Sequence, residues 1–334
     1  MDKIITGIEE NRDFTPITES EAKELADEIR KVVDNIETVI KGKREQVELA
    51  VITMLAEGHV LIEDVPGVGK TSLVSSLAKT VDCGFKRIQF TPDVMPSDVS
   101  GFSIYNQKTG EFEFRPGAAM SNIILADEIN RASAKTQSAM LEIMEERQVT
   151  VDGNTMVMDR PFMVLATQNP IDSLGTYQLP EAQIDRFMIK LSLGYPDTND
   201  EIEVITGGKK AKQEIGPVTD GAGVVAMTEK CARVTVSHQI ASYIVHIVKA
   251  TRTDPDIRLG SSPRGSISLY SLSRAYAAYQ GRSYVVPDDI KYLAPYVLGH
   301  RVTLTHAART EQKDPKDIIN KIVSHIVVPV EDEK

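Results

Sequence analysis

One stretch decides the fold of this 334-residue chain: residues 59–71, HVLIEDVPGVGKT, running from His59 to Thr71. Residues 59–63 predict a short buried strand, because apolar side chains dominate them. A glycine-containing loop follows over residues 64–70, and the segment 71–81 has a helical pattern. Strand, loop and helix in this order open a parallel α/β domain.

The loop resembles the phosphate-binding pattern G-x-x-x-x-G-K-[ST], with Asp64 where the first glycine is expected. Gly67 and Gly69 still allow the backbone N–H groups to turn inward and form an anion site with the next helix. Lys70 would neutralise the β- and γ-phosphates, and Thr71 would place its hydroxyl on Mg²⁺. The alternative is a chance glycine turn, but the strand before the loop and the helix after it favour a P-loop. The predicted nucleotide contacts of the loop are Pro66, Gly67, Val68, Gly69, Lys70, Thr71 and Ser72.

Two acids follow the apolar run 123–126. A carboxylate at the carboxyl end of a buried parallel strand lies beside the P-loop crevice. We therefore expect Asp127 to bind Mg²⁺ through its water shell and Glu128 to act as general base on the attacking water. The alternative is a pair of solvated loop residues.

A polar amide follows the next strand along the chain. The apolar run 162–166 leads into Thr167-Gln168-Asn169-Pro170. Asn169 at that strand end would lie beside the γ-phosphate and hold the water. An asparagine turn before a proline is common chemistry and remains the alternative.

Apolar segments predict a five-stranded parallel sheet with helices on its faces. Besides the strand at 59–63, they cover residues 87–90, 123–126, 162–166 and 188–193. Two further segments predict β-hairpin inserts. Residues 102–105 and 111–115 flank one turn, and residues 149–151 and 155–157 flank Asp152-Gly153-Asn154, whose Asp-Gly pair is a strong hairpin signal.

Helical patterns bracket this α/β core. Thr18 or Ser20 can cap a helix that carries apolar residues at spacings of three and four, and a second helix is expected over 44–56. After Pro196 the strand signals end, and helices are predicted over 200–212, 237–251, 264–280, 288–299 and 314–327. We therefore predict a loose N-terminal arm (1–20), an α/β nucleotide-binding domain (21–195) and an all-α lid (196–334).

Composition narrows the class of protein. The net charge of −10 argues against a duplex DNA binder, whose affinity depends on neutralising phosphates. Residues 1–11 show no signal-peptide pattern, and the apolar runs are too short to cross a bilayer. Cys83 and Cys231 lie far apart in sequence, as expected for reduced thiols in a cytoplasmic protein.

Taken together, the motifs resemble those of AAA+ ATPases, and more narrowly the MoxR family in the helix-2-insert group. The stretches that carry the resemblance are EDVPGVGKT (63–71), QFTPD (89–93), ADEINRA (126–132), ATQNP (166–170) and LPEAQIDRF (179–187). The resemblance covers nearly the whole chain after the first twenty residues. Both hairpins match inserts of this group, and an aspartate at position 64 is frequent in it.

The resemblance implies roles for residues outside the P-loop. Asn169 looks like sensor 1, and Arg186 looks like the arginine finger that reaches the nucleotide of a neighbouring subunit. Arg264 looks like sensor 2, touching the γ-phosphate, and Arg131 is a candidate interface residue. Val39, Ile40 and Gly42 match the stretch that holds adenine.

Purely structural roles are the alternative for Arg186 and Arg264. Arg186 could pair with Asp185 or Glu181 on the surface. Arg264 could merely begin a helix, although a cation there opposes the helix dipole, which favours an anionic partner.

The implied activity is Mg²⁺-dependent ATP hydrolysis by a ring-shaped homo-oligomer, most often a hexamer. The implied role is chaperone-like remodelling, maturation or activation of client proteins, often with partners that bear a von Willebrand factor A domain. Two other functions compete. An AAA+ motor on nucleic acid is disfavoured by the acidic charge, and a nucleotide-sensing scaffold with little turnover is disfavoured by the intact Glu128.

Overall fold

The computed structural model describes residues 15–65, 67–169, 177–195, 198, 201, 202 and 215–328. Most of the predicted N-terminal arm lies outside these residues, as does nearly all of the helix expected over 200–212. The domain boundaries therefore stay predictions, while the elements on either side of them can be described.

The strands lie almost entirely in the first two thirds of the chain. In chain order they are β1 (Val60–Glu63), β2 (Phe85–Gln89), β3 (Gly101–Asn106), β4 (Glu111–Pro116), β5 (Ile123–Asp127), β6 (Gln148–Val151), β7 (Asn154–Val157), β8 (Met163–Gln168), β9 (Ile189–Leu191), β10 (Ile257–Leu259) and β11 (Thr303–Leu304).

The helices flank the strands and dominate the last third. In chain order they are α1 (Glu19–Glu37), α2 (Arg44–Leu55), α3 (Lys70–Thr80), α4 (Pro96–Ser100), α5 (Ala134–Glu146), α6 (Glu181–Ile184), α7 (Gly221–Ala232), α8 (His238–Ala250), α9 (Pro263–Tyr279), α10 (Pro287–Leu298), α11 (His306–Thr310) and α12 (Pro315–His325).

Five strands form the predicted parallel sheet, in the order β2–β5–β8–β1–β9. Side chains that alternate along a strand enter separate hydrophobic clusters; Ile123 and Leu125 lie in one, whereas Ile124 and Ala126 lie in the other. The central strands β1, β5 and β8 are thus buried on both faces, which explains why they are continuous apolar runs, whereas the edge strand β2 carries exposed polar side chains. Since all five strands are parallel, the carboxyl ends of β1, β5 and β8 meet at one edge.

Of the two caps considered for helix α1, Thr18 is the N-cap. The Thr18 hydroxyl accepts a hydrogen bond from the N–H of Glu21 at 3.2 Å, and the Glu21 carboxylate accepts one from the N–H of Thr18 at 2.8 Å. This reciprocal pair satisfies two N–H groups that a helix start leaves without partners. The apolar side chains of α1 are buried against α2, α3, α7 and α9, so α1 contacts both the α/β part and the lid.

Both predicted hairpins are present. Strands β3 and β4 pair from Gly101–Pro116 to Asn106–Glu111, and β6 pairs with β7 around Asp152-Gly153. Asp152 and Gly153 both have positive φ, at 52° and 80°, as a two-residue turn of this kind requires.

The lid is helical as predicted, with three differences. Strand signals do not end at Pro196, because β10 and β11 form a short antiparallel ribbon. Helices α7 and α11 were not predicted. Glycines at 221 and 223 obscure the periodicity of α7, and α11 has only 5 residues. No helix among the described residues is long and apolar enough to cross a membrane.

His59, just before β1, links this strand to β8 and to the end of α5 through hydrogen bonds of its ring. Its Nδ1 accepts a hydrogen bond from the N–H of Val164, and its Nε2 lies 3.0 Å from the carbonyl oxygen of Met144. Burial lowers the pKa of His59 to about 4, which keeps the ring neutral. A neutral ring accepts at one nitrogen and donates at the other, as these contacts require. His59 is therefore a structural residue.

Candidate active site

The P-loop is anchored by the residue that departs from the usual pattern. Asp64 is buried, and its carboxylate accepts hydrogen bonds from the Ser192 hydroxyl at 2.9 Å and the Leu193 N–H at 2.5 Å. A third bond comes from the N–H of Gly194 at 3.2 Å. Asp64 therefore binds the loop to the segment that follows β9, which a glycine in this position could not do.

The described part of the loop has the predicted phosphate-binding form. Gly67 and Gly69 have φ of 91° and 94°, values that favour glycine. Helix α3 begins at Lys70, whose ammonium donates to the carbonyl oxygen of Asp64 at 3.0 Å. The helix N-terminus and Lys70 together form an anion site. Pro66 lies outside the described residues.

One cavity brings the P-loop together with the two strand-end motifs. It lies at the carboxyl edge of the sheet and is lined by Gly67, Gly69, Lys70, Thr71, Ser72, Arg87, Gln89, Asp127, Glu128 and Asn169. Most of the predicted phosphate, magnesium and water residues therefore share one site. Val68 is partly buried and packs against the hydrophobic core.

Asp127 is held by a buried hydroxyl and a cation. Its Oδ1 accepts from the Thr167 hydroxyl at 2.6 Å, and its Oδ2 accepts from two nitrogens of Arg87 at 2.6 and 3.1 Å. Thr167 also accepts a bond from the N–H of Glu128 at 2.8 Å. One side chain at the end of β8 thereby orients both acids at the end of β5.

The orientation of Glu128, the second acid, is set by its backbone conformation and by two hydrogen-bond donors. Glu128 has φ of 55°, which is uncommon for a residue with a side chain and turns the chain sharply after β5. Its Oε2 accepts from the Gln89 amide at 3.0 Å and from Arg131 at 2.9 Å. Arg131 thus pairs with the predicted general base. Its expected interface role stays a prediction.

The residues present fit a magnesium ion. The Thr71 hydroxyl and the Asp127 carboxylate line the same cavity, and both offer the hard oxygen ligands that Mg²⁺ prefers. Mg²⁺ keeps several waters and is usually bound through one or two carboxylates together with substrate phosphates. The Asp127 carboxylate and the Thr71 hydroxyl beside an anion site match that mode.

Sequence reasoning missed Arg87, Gln89 and Thr167. Arg87 and Gln89 stand two apart on β2, so they point to the same side of the strand. The register pairs Gln89 with Asp127 on β5. The available signal was the presence of polar side chains inside β2. Using that signal requires knowing that β2 pairs with β5, which carries the acids, and this strand order is a property of the tertiary structure.

Arg186 and Arg264 do not lie in this cavity. They line a second cavity together with Gly58, His59 and Glu145. Gly58 and His59 precede β1, so the second cavity lies at the amino edge of the sheet. Sensor 2 contact between Arg264 and the phosphates bound by its own chain is therefore not supported, because lid helix α9 places this arginine against the end of α5.

The surface partners considered for Arg186 are also not the observed ones. Asp185 binds Arg301 at 2.9 Å and the Ser262 hydroxyl at 2.8 Å, while Glu181 pairs with Arg258. Arg186 lies instead 2.8 Å from Glu145.

The residues expected to hold adenine follow α1. Gly42 has φ of 66° and makes the bend before α2, while Ile40 is buried and Val39 is partly buried against the core. None of these three residues is among those that line the phosphate cavity. Their contact with adenine stays a prediction.

The fold and this site define the chain as a P-loop protein of the AAA+ class. A parallel β2–β5–β8–β1–β9 sheet carries the phosphate loop, the two acids and the polar amide, and a helical lid follows. Comparison with known proteins agrees: residues 59–189 match the ATPase family associated with various cellular activities (AAA), and residues 249–322 match the AAA lid domain.

Relatives narrow the class. Chaperone MoxR1 of Mycobacterium tuberculosis is 39% identical over 90% of this chain and 82% of its own length. The Bacillus subtilis protein YeaC is 52% identical over 90% of this chain and 95% of its own. A solved structure of a putative ATPase from Cytophaga hutchinsonii has a TM-score of 0.87 and 40% identity, covering 93% of this chain and 98% of that one. The chain belongs to the MoxR family of AAA+ ATPases.

Proposed function

We propose that this protein is a Mg²⁺-dependent ATPase whose active site is completed by a neighbouring subunit. Lys70 and the N-terminus of α3 bind the phosphates, and Thr71 and Asp127 hold the magnesium ion. When bound, Mg²⁺ neutralises the charge that develops on the β- and γ-phosphate oxygens. Glu128 takes a proton from the attacking water, and Asn169 orients that water beside the γ-phosphate.

The observation that carries this proposal is the placement of the two arginines at the opposite edge of the sheet. Strand β1 separates the two cavities and has 4 residues. At about 3.3 Å per residue, it holds the edges more than roughly 10 Å apart. Arg186 and Arg264 therefore serve the nucleotide of an adjacent copy. A head-to-tail contact of this kind repeats around a closed ring, for which we propose a hexamer.

The ATPase assay tests this proposal directly. We expect hydrolysis that requires Mg²⁺ and whose specific activity rises with protein concentration, because dilution separates each site from its arginines. Turnover is measured by phosphate release across a dilution series, with and without excess chelator, while sedimentation velocity reports the oligomer. Activity that stays constant when the oligomer dissociates would contradict a shared site.

We further propose that hydrolysis remodels client proteins, in line with the chaperone name of the Mycobacterium tuberculosis relative. The β3–β4 hairpin supports this role. Its apolar side chains are exposed on both faces of the ribbon: Phe102, Ile104, Tyr105 and Phe112. Tyr105 and Phe112 are cross-strand partners with ring centroids 5.3 Å apart. Exposed aromatic side chains are suited to binding extended, partly unfolded segments.

A binding assay tests the client role. In a Glu128→Gln background with ATP, we expect binding of a permanently unfolded, carboxymethylated protein. Adding Tyr105→Ser and Phe112→Ser should weaken it about tenfold, or about 1.4 kcal/mol. Val327→Ser is the matched control, since Val327 is exposed on the lid. Equal binding by the hairpin variant and the control would show that this hairpin is not the contact.

The remaining features of the protein's role are proposals by resemblance. We propose a cytoplasmic location and client or partner proteins that include von Willebrand factor A domains. No observation among the described residues favours a nucleic-acid motor or an inactive scaffold, so neither is proposed.

A further inference from the structure

A single carboxylate contacts both arginines at the amino edge of the sheet. Glu145 lies in the last turn of α5, Arg186 lies between α6 and β9, and Arg264 lies in the first turn of lid helix α9. Oε2 of Glu145 is 2.8 Å from Nε of Arg186, in an ion pair whose N–H does not point directly at the oxygen. Oε1 accepts a hydrogen bond from Nη2 of Arg264. Two separate segments thus converge on one side chain of α5.

The same two segments are joined a second time, one residue before Arg186. Asp185 accepts a hydrogen bond from the hydroxyl of Ser262, the N-cap of α9, at 2.8 Å. It also pairs with the buried Arg301 at 2.9 Å, and Arg301 donates to the carbonyl oxygen of Phe187 at 2.7 Å. The backbone on either side of Arg186 is therefore attached to the lid, so Glu145 acts on side chains whose main chains are already fixed.

Charge explains why a carboxylate is needed at this point. Two guanidinium groups that converge repel each other, and an anion between them offsets that repulsion. Arg264 also stands at the start of α9, where the helix dipole disfavours a cation. Glu145 supplies the compensating anion for Arg264 and brings it beside Arg186.

We propose that Glu145 is a positioning residue, which holds Arg186 and Arg264 side by side so that both reach one γ-phosphate in the neighbouring subunit. This inference rests on the proposed function. The contacts described for the two arginines use one nitrogen of each guanidinium. Each guanidinium has five N–H donors, so donors remain for phosphate oxygens. In this role Glu145 acts only through the two arginines it contacts.

Subunit mixing separates this role from a general effect on folding. Lys70→Ala subunits cannot bind phosphate but supply arginines, and Arg186→Ala subunits bind ATP but supply no finger. Mixed in equal amounts, they form some sites with both parts intact, so activity should return. Adding Glu145→Gln to the Lys70→Ala subunit should lower the recovered activity by roughly 10- to 100-fold, the scale of misplaced catalytic groups. Adding it to the Arg186→Ala subunit should change nothing.

The outcomes are distinguishable. If Lys70→Ala and Arg186→Ala subunits do not complement each other, the proposed shared site fails, and the role of Glu145 fails with it. If they complement but Glu145→Gln has no effect in the arginine-supplying subunit, only the present inference is overturned. An equal loss in both subunits also overturns it, because that pattern indicates damage to folding or assembly.

Two controls sharpen the test. Glu142→Gln changes an exposed acid one turn earlier on α5 and should leave the mixture unaffected. Glu145→Asp keeps the charge on a shorter side chain and should recover part of the lost activity. Thermal unfolding and sedimentation of each variant confirm that the subunits fold and assemble alike.

Discussion

Replacing Glu128 with glutamine is expected to reduce ATP turnover by about 10²- to 10⁴-fold, the usual contribution of a general base. Glutamine has the same shape and retains a carbonyl oxygen for the contacts with Gln89 and Arg131. It has no basic oxygen with which to take a proton from water. Binding of ATP should persist, because Lys70, Thr71 and the loop backbone are unchanged.

The decisive comparison sets turnover against binding in the same samples. Phosphate release reports turnover, and a fluorescent ATP analogue reports binding. Lys70→Ala should lose both, whereas Glu128→Gln should lose turnover alone. Unchanged turnover in Glu128→Gln would disprove the assignment of the base, and loss of binding would show that Glu128 belongs to the nucleotide contacts.

Replacing Arg186 with alanine is expected to lower turnover by about 10³- to 10⁵-fold, as for other arginines supplied in trans. The guanidinium stabilises negative charge that spreads over the γ-phosphoryl group in the transition state, and alanine leaves that charge uncompensated. ATP binding should remain, because Arg186 does not line the phosphate cavity of its own chain.

Arg309→Ala is the matched control, since Arg309 is an exposed lid arginine outside both cavities. It should leave turnover unchanged. Arg186→Lys keeps a positive charge but loses the planar fork, so we expect only partial recovery. Full activity of Arg186→Ala would contradict a finger at this position, and loss of assembly would assign the residue to the subunit interface instead.

The fold was predictable from the sequence because its signals are local. The central strands β1, β5 and β8 lie in continuous apolar runs, and the Asp152-Gly153 pair is a local signal for the turn of its hairpin. Helix α7 was not predicted because Gly221 and Gly223 weaken its local signal. Its stability comes instead from the burial of side chains such as Val224 and Met227 against the rest of the protein. The β10–β11 ribbon is set by lid packing that no local pattern reveals.

The nucleotide site was predictable to the extent that it follows strand ends. Lys70 follows the loop after β1, Asp127 is the last residue of β5, and Glu128 and Asn169 come directly after β5 and β8. These three strands are neighbours in the sheet. Arg87 belongs to the same cavity but lies within β2, and its contact with Asp127 depends on β2 pairing with β5. The sequence around a residue inside an edge strand does not indicate that its side chain contacts the nucleotide site.

By itself, the sequence indicated the class of protein through the resemblance of its motifs. It also predicted the order of most elements and the residues proposed to bind phosphate and activate water, because their signals are local to the chain. Only the tertiary structure decided which residues meet. Asp64, which replaces the first glycine of the usual P-loop pattern, anchors that loop to the segment after β9. It can do so because β1 and β9 end at the same edge of the sheet. Arg186 and Arg264 gather at Glu145 on the opposite edge, since the lid packs there, so the complete set of catalytic residues in one sequence is expected to work only between two subunits.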